Sequence, residues 1–214
     1  MRAALAGLLV ALACHPVAGT AHAQPRCEPA PPSVALELDM KPAEVSRARS
    51  MAELRREARK GPDAHQTGLY QVEIARRTEV EVSIAQSGDR LCVAVARVKV
   101  RVETPTRMIY VASEIDPTSC RYRVTAEHEH QHERIDEEIL RVSLPARVEA
   151  LSGKLAGLAA AAPASERDRA VRDVHDRAQA TVRDLFVEVL AERQRMQLGI
   201  DTPQEYRRLA NRCR

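Results

Sequence analysis

Aromatic side chains are almost missing from this chain: its 214 residues include no Trp, one Phe and four Tyr. That scarcity excludes the stacking platforms used to bind single-stranded nucleic acid. It also leaves the core to Leu, Val, Ile and Ala, and an apolar content of 44% is enough to build one. A surplus of one charge is lacking too. The formal net charge is only +3, which predicts no strong attraction to nucleic acid or anionic lipid. No apolar run reaches the ~18 residues that a membrane anchor needs. The cysteines are scattered, with no two close together, and this excludes a thiolate-rich metal site.

The N-terminus holds Arg2, an apolar run from Ala3 to Ala13, and the small-x-small ending Ala21-His22-Ala23. This order predicts a secretory signal peptide over residues 1–23, cleaved after Ala23. Its loss removes Arg2 and no acid, so the charge falls from +3 to +2. The expected location is therefore periplasmic or secreted, with no membrane insertion after cleavage and no nucleic-acid partner. Disulfides persist in such a compartment, and Cys27, Cys92, Cys120 and Cys213 remain to form them. Three pairings are open in principle. The expected framework is Cys92–Cys120, because both flank one sheet-to-helix unit, and then Cys27–Cys213 by elimination.

Residues 24–32 form a Pro-rich arm, and residues 33–214 are expected to make one α+β domain. In its first part, 33–117, strands dominate. Val34, Leu36, Leu38 and Met40 alternate with polar neighbours. A helical pattern follows over residues 42–60 and ends at Gly61-Pro62. Two longer strands, Val72–Ile84 and Leu91–Val102, flank "QSGDR" and predict an antiparallel hairpin. "RMIYVASEI" is a plausible third strand of the same sheet. Helices dominate residues 118–214, with patterns from Cys120 to about Val142, Leu144 to about Ala160, and Ser165 to about Gln197. A last helix is capped by Thr202, with Pro203 in its first turn. Strands first and helices afterwards define an α+β class: an N-terminal antiparallel sheet followed by a helical C-terminal half.

The chemistry concentrates in "AEHEHQHERIDEE", residues 126 to 138, which contains H-E-x-x-H at His128, Glu129 and His132. On a helix the two histidines lie about 40° apart on one face, so both imidazoles can converge on one ion. Glu129, about 100° round from His128, can reach a water on that ion without being a ligand. Asp136 continues the histidine face and suits an outer role, orienting the His132 ring. Val124, Ile135, Ile139 and Val142 form an apolar stripe beside that face. This predicts that the stripe is buried and that the histidines stand at its margin. His130 points away as a bystander.

H-E-x-x-H is the zincin metallopeptidase signature. The stretch from about residue 91 to 140 resembles the uncharacterised bacterial secreted proteins described as zinc-dependent proteases: "LCVAVARVKVRV", "RMIYVASEI", and a cysteine just before "YRVTAEHEHQH". The tail "IDTPQEYRRLANRC" is similar as well. The resemblance implies a zincin-like fold, zinc as cofactor, His128 and His132 as its ligands, and Glu129 as general base. It also implies that "RMIYVASEI" is the edge strand along which an extended peptide lies. Ile135 stands where the extended motif H-E-x-x-H-x-x-G-x-x-H needs Gly, so the third ligand is open. Asp136 is nearest along the chain; His175, Glu188 or Glu192 of the long helix would have to come from across the fold, and His65 is the weakest candidate.

The expected function is an exported zinc metallopeptidase acting on a peptide or protein substrate. Tyr122, Tyr206 or an arginine is a candidate to stabilise the oxyanion. The alternative is a non-catalytic periplasmic metal-binding or interaction module.

Overall fold

The computed structural model describes residues 27–58 and 66–213. The signal segment 1–23, the start of the Pro-rich arm and His65 lie outside the described residues. The architecture is α+β, with sheets in the N-terminal half and helices in the C-terminal half.

Three lengths of chain lie side by side, and each runs through two sheets. β1 (Ser33–Met40) leads into β2 (Glu44–Ser46); after α1 (Met51–Glu57), β3 (Gly68–Val72) leads into β4 (Ala75–Ser87) and β5 (Arg90–Thr104) into β6 (Arg107–Val111). The larger sheet has the order β1-β5-β4 and the smaller β2-β6-β3. The β4–β5 hairpin is antiparallel, with Val80 opposite Val98. It turns at Gly88, whose φ of 61° is open to Gly without a Cβ penalty. β3 is antiparallel to β6, whereas β1 and β2 run parallel to their neighbours. The sheets are therefore mixed.

"RMIYVASEI" does not join the hairpin sheet. Its strand, β6, continues the line of β5 and becomes the centre of the smaller sheet. Pro105 explains the break: it has no N–H for the ladder, yet nothing beside it supplies a hairpin turn. The helix expected over 42–60 is also shorter. Ser50 and Glu53 form a capping box that starts α1 there, leaving the preceding residues extended to pair as β2.

α2 (Cys120–Glu137) is capped by Ser119, whose side chain accepts the Tyr122 N–H. A π-helical turn, Glu138–Ser143, leads into α3 (Leu144–Glu149) and α4 (Leu151–Ala156). The single helix expected over 144–160 is thus two short ones, followed by β7 (Ala160–Pro163), which pairs with the start of β5. α5 (Arg167–Ile200) is 34 residues long, and α6 (Pro203–Asn211) closes the chain with Thr202 as cap. Val93, Val95, Val98, Val100 and Val102 of β5 pack against α3, α4 and α5 in the main core. α2 lies on the smaller sheet, where Leu54, Tyr110, Val111, Ala112 and Ile115 make a second cluster.

The disulfides correct the expected framework: they join Cys27 to Cys92 and Cys120 to Cys213, with Cα separations of 5.3 and 5.6 Å. Cys92 stands near the start of β5, about 40 Å of strand from the end that leads to α2. A bond needs Cα atoms within roughly 7 Å, so Cys120 is out of its reach. Cys27 instead lies beside β7, its Sγ 3.7 Å from the Ala160 carbonyl oxygen. Among the described residues, no helix is long and apolar enough to cross a membrane.

Candidate metal centre

The face of α2 that is buried is the polar one. Val124, Thr125, His128, Glu129, His132 and Asp136 are all buried, while Val142 is 64% exposed. The expected apolar stripe is therefore divided: Val124 and Ile139 are buried, but the histidines lie inside the fold and not at its margin. His130 points outward and pairs with Glu133 at 2.7 Å.

Burying so many polar groups requires partners, and the C-terminal end of α5 supplies them. α5 ends at Ile200, and Asp201 turns the chain back over α2 before Thr202 caps α6. His128 Nε2 and His132 Nε2 each lie 3.2 Å from Asp201 Oδ1. One ligand atom from each of the three residues lies within 4.8 Å of the others.

This set fits a metal ion. A tetrahedral ion with bonds of about 2.0–2.1 Å keeps its ligand atoms about 3.3 Å apart, close to the two histidine–aspartate separations. Two imidazoles and a carboxylate suit a borderline cation such as zinc. The Gln197 side-chain oxygen accepts from His132 Nδ1, which leaves Nε2 with its lone pair free to ligate. His128 Nδ1 is buried without a hydrogen-bond partner among the described residues.

The sequence leaves the third ligand open, and the acid that the fold brings to the two histidines is Asp201. Asp136, fully buried, is held by Arg193 at 2.6 Å, Gln197 at 2.8 Å and the Tyr70 hydroxyl at 3.0 Å. Its outer role is indirect: Asp136 fixes Gln197, and Gln197 fixes His132. Tyr70 also accepts from Arg107 Nε at 3.2 Å, and Arg107, itself buried, pairs with Glu137 at 2.8 Å. His175 is turned outward beside Asp176, about 38 Å of helical rise from Ile200. Glu192 pairs with Arg147, and Glu188 is exposed. Asp201 was visible in the sequence only as the acid between two helical patterns. Nothing local marks such a residue as a ligand.

Glu129 is 5% exposed and faces β3. Burial pushes its carboxyl up to about 7, against the pull of His132 and His128. The backbone N–H of Tyr70 donates to it. Burial works against ionising Asp201 as well, but hydrogen bonds from His128, His132 and Tyr206 outweigh it and hold that carboxyl well below the usual range. Burial also opposes charge on His132, yet hydrogen bonds to Asp201 and Gln197 raise it above an ordinary histidine.

Of the two tyrosines considered, Tyr206 is at the site. Its hydroxyl lies 2.7 Å from Asp201 Oδ1 and its ring 5.6 Å from that of His128. Tyr122 packs against the second core cluster instead. No protein-family model, curated protein or solved structure matches this chain.

Proposed function

We propose that this protein is an exported zinc-dependent metallopeptidase in which His128, His132 and Asp201 hold the ion. The observation that carries this reading is the convergence of those three side chains beside Glu129, a buried carboxyl that is no part of the ligand set. Bound there, zinc supplies a Lewis acid that polarises a carbonyl and makes water more acidic. Glu129 takes a proton from the attacking water and delivers it to the amide nitrogen as the C–N bond breaks. A carboxyl raised toward neutrality suits both transfers. In this reading the Tyr206 hydroxyl, which donates to Asp201 Oδ1 at 2.7 Å, turns to the developing oxyanion.

The substrate strand has a natural place at β3, not at β6, because β6 is flanked on both sides. Thr67 O and Glu73 N bond to the β6 side. By the alternation of an antiparallel ladder, Gly68 and Tyr70 turn their backbone groups away from β6; the Tyr70 N–H is given to Glu129 and the Gly68 carbonyl to the Gln66 side chain, which leaves the Gly68 N–H and the Tyr70 carbonyl for an added strand. An extended peptide added there passes directly over Glu129. Two disulfides suit an oxidising compartment, in keeping with export by residues 1–23. Substrates are peptides or proteins; neither nucleic acid nor membrane insertion is part of the reading.

Metal analysis and a peptide-cleavage assay test it together. We expect one zinc per chain, lost in a His128→Ala, His132→Ala double variant. We also expect hydrolysis to fall by at least ~100-fold in Glu129→Gln, with zinc retained. A folded, zinc-loaded protein that cleaves nothing across a broad library overturns the peptidase reading and leaves a metal-binding module.

A further inference from the structure

A cavity of about 680 Å³ opens beside the metal centre. Two helical faces make its walls: Arg121, Val124 and Thr125 from α2, and Leu209 and Ala210 from α6. The three- and four-residue spacings of Val124 and Thr125 from Arg121, and of Leu209 and Ala210 from Tyr206, put each set on one stripe of its helix. His128, Glu129 and Tyr206 form the reactive end. Cys213, bonded to Cys120 at the first residue of α2, lines the other end, about 12 Å of helical rise from His128. The cavity is therefore as long as a large side chain with its backbone, and its volume lies in the range of ligand pockets.

We infer that this cavity is the subsite that selects the substrate, accepting a bulky apolar residue next to the scissile bond and rejecting lysine and arginine. The inference rests on the peptidase reading and adds a substrate class to it. Two features carry it. Val124, Leu209 and Ala210 make the wall between the two ends largely apolar, and the polar groups on its β3 side are spent on one another, Thr125 on Thr67 and Gln66 on the Gly68 carbonyl, so an aliphatic or aromatic side chain leaves water there. Arg121 is exposed at the far end and has no carboxylate partner among the described residues, so a second cation entering the same cavity meets like charge while losing its hydration. The lid is thin: α6 has no buried residue and is tied down by the Cys120–Cys213 bond and the Arg212–Glu127 pair at 2.6 Å. The disulfide thus sets the distance between the two walls.

The test is cleavage of a random peptide library by the zinc-loaded full chain, with the cut sites read by mass spectrometry. One position flanking the cut should be enriched on the order of 10–100-fold for Leu, Met and Phe over Ala, and depleted in Lys and Arg. Arg121→Glu should lift the depletion of basic residues, and Leu209→Trp should move the enrichment toward Ala and Ser. No preference at any flanking position, or preferences unchanged in both variants, overturns the subsite and leaves the peptidase reading intact. Absence of all cleavage overturns the peptidase reading. Titration with N-acetylphenylalaninamide, followed by NMR, then decides the cavity: binding that Leu209→Trp abolishes upholds an apolar ligand site, and no binding to wild type overturns it.

Discussion

A Cβ built on Gly68 comes within 2.5 Å of Glu129 Oε1. The edge strand and the helix bearing Glu129, the proposed general base, therefore touch where only a hydrogen fits. Thr125 Cγ2, at 2.6 Å from the same position, closes the other escape, and the carboxylate is the group most free to yield. Gly68→Ala should displace Glu129 by a fraction of an ångström to an ångström. Turnover should drop on the order of 100-fold, as for misplaced catalytic groups, with overpacking costing about 1–3 kcal/mol of stability. Kinetics and zinc content of the purified variant check this; a full wild-type rate would remove Glu129 from the role assigned to it.

Glu129 also links the site to pH. Its folded carboxyl is raised from 4.5 to about 7, so the folded state holds the proton more tightly than the unfolded chain. The stability this contributes is complete below about pH 4.5 and is lost as the pH rises through 7. Metal-free Glu129→Gln should therefore be more stable than metal-free wild type at pH 8, by on the order of 2–3 kcal/mol. At pH 4 the gain should vanish. Urea denaturation after chelation, at the two pH values, gives the comparison, and an equal difference at both would contradict the assignment.

Asp201 and Gln197 are separable by metal affinity. Asp201→Ala removes a ligand, and its zinc affinity should fall by more than the ~10–100-fold typical of outer partners. Gln197→Ala, which frees the His132 ring, should fall within that range. His175→Ala and Glu188→Gln should leave affinity unchanged. Competition against a chromogenic chelator ranks the four variants, and a ranking with His175→Ala weakest would reverse the ligand assignment.

Asp136 itself is chiefly a question of stability. It is fully buried, and its removal leaves Arg193 without its carboxylate. Asp136→Ala should cost about 3–5 kcal/mol, as breaking a buried pair does, measured as a shift in the urea midpoint at constant slope. A loss under 1 kcal/mol would mean that solvent reaches the pair.

Non-reducing peptide mapping should recover Cys27 linked to Cys92 and Cys120 linked to Cys213. In a Cys120→Ser, Cys213→Ser variant, α6 keeps its Asp201–Thr202 hinge, the Tyr206 contacts to Asp201 and His128 near its start, and the Arg212–Glu127 surface pair. Proteolysis should then begin in α6, at residues 203–211, before any other helix is cut.

Much of this protein follows from local pattern. The period of a helix places His128, Glu129 and His132 together whatever the rest of the fold does, because backbone hydrogen bonds four residues apart set that geometry. Strand alternation on either side of Gly88 likewise produces the β4–β5 hairpin, and Thr202, Pro203 and Glu205 start α6 from within one turn. The buried face of α2 is not legible in the sequence for a physical reason: polar side chains go inside when partners are there to meet them, and those partners, Arg193, Gln197 and Asp201, lie 57 to 73 residues away in the chain. Asp201 meets His128 and His132 only because α5 is long enough to end over them, and Cys213 meets Cys120 only because α6 then folds back along α2. Convergence of that kind depends on how whole elements pack, and tertiary structure alone decided it.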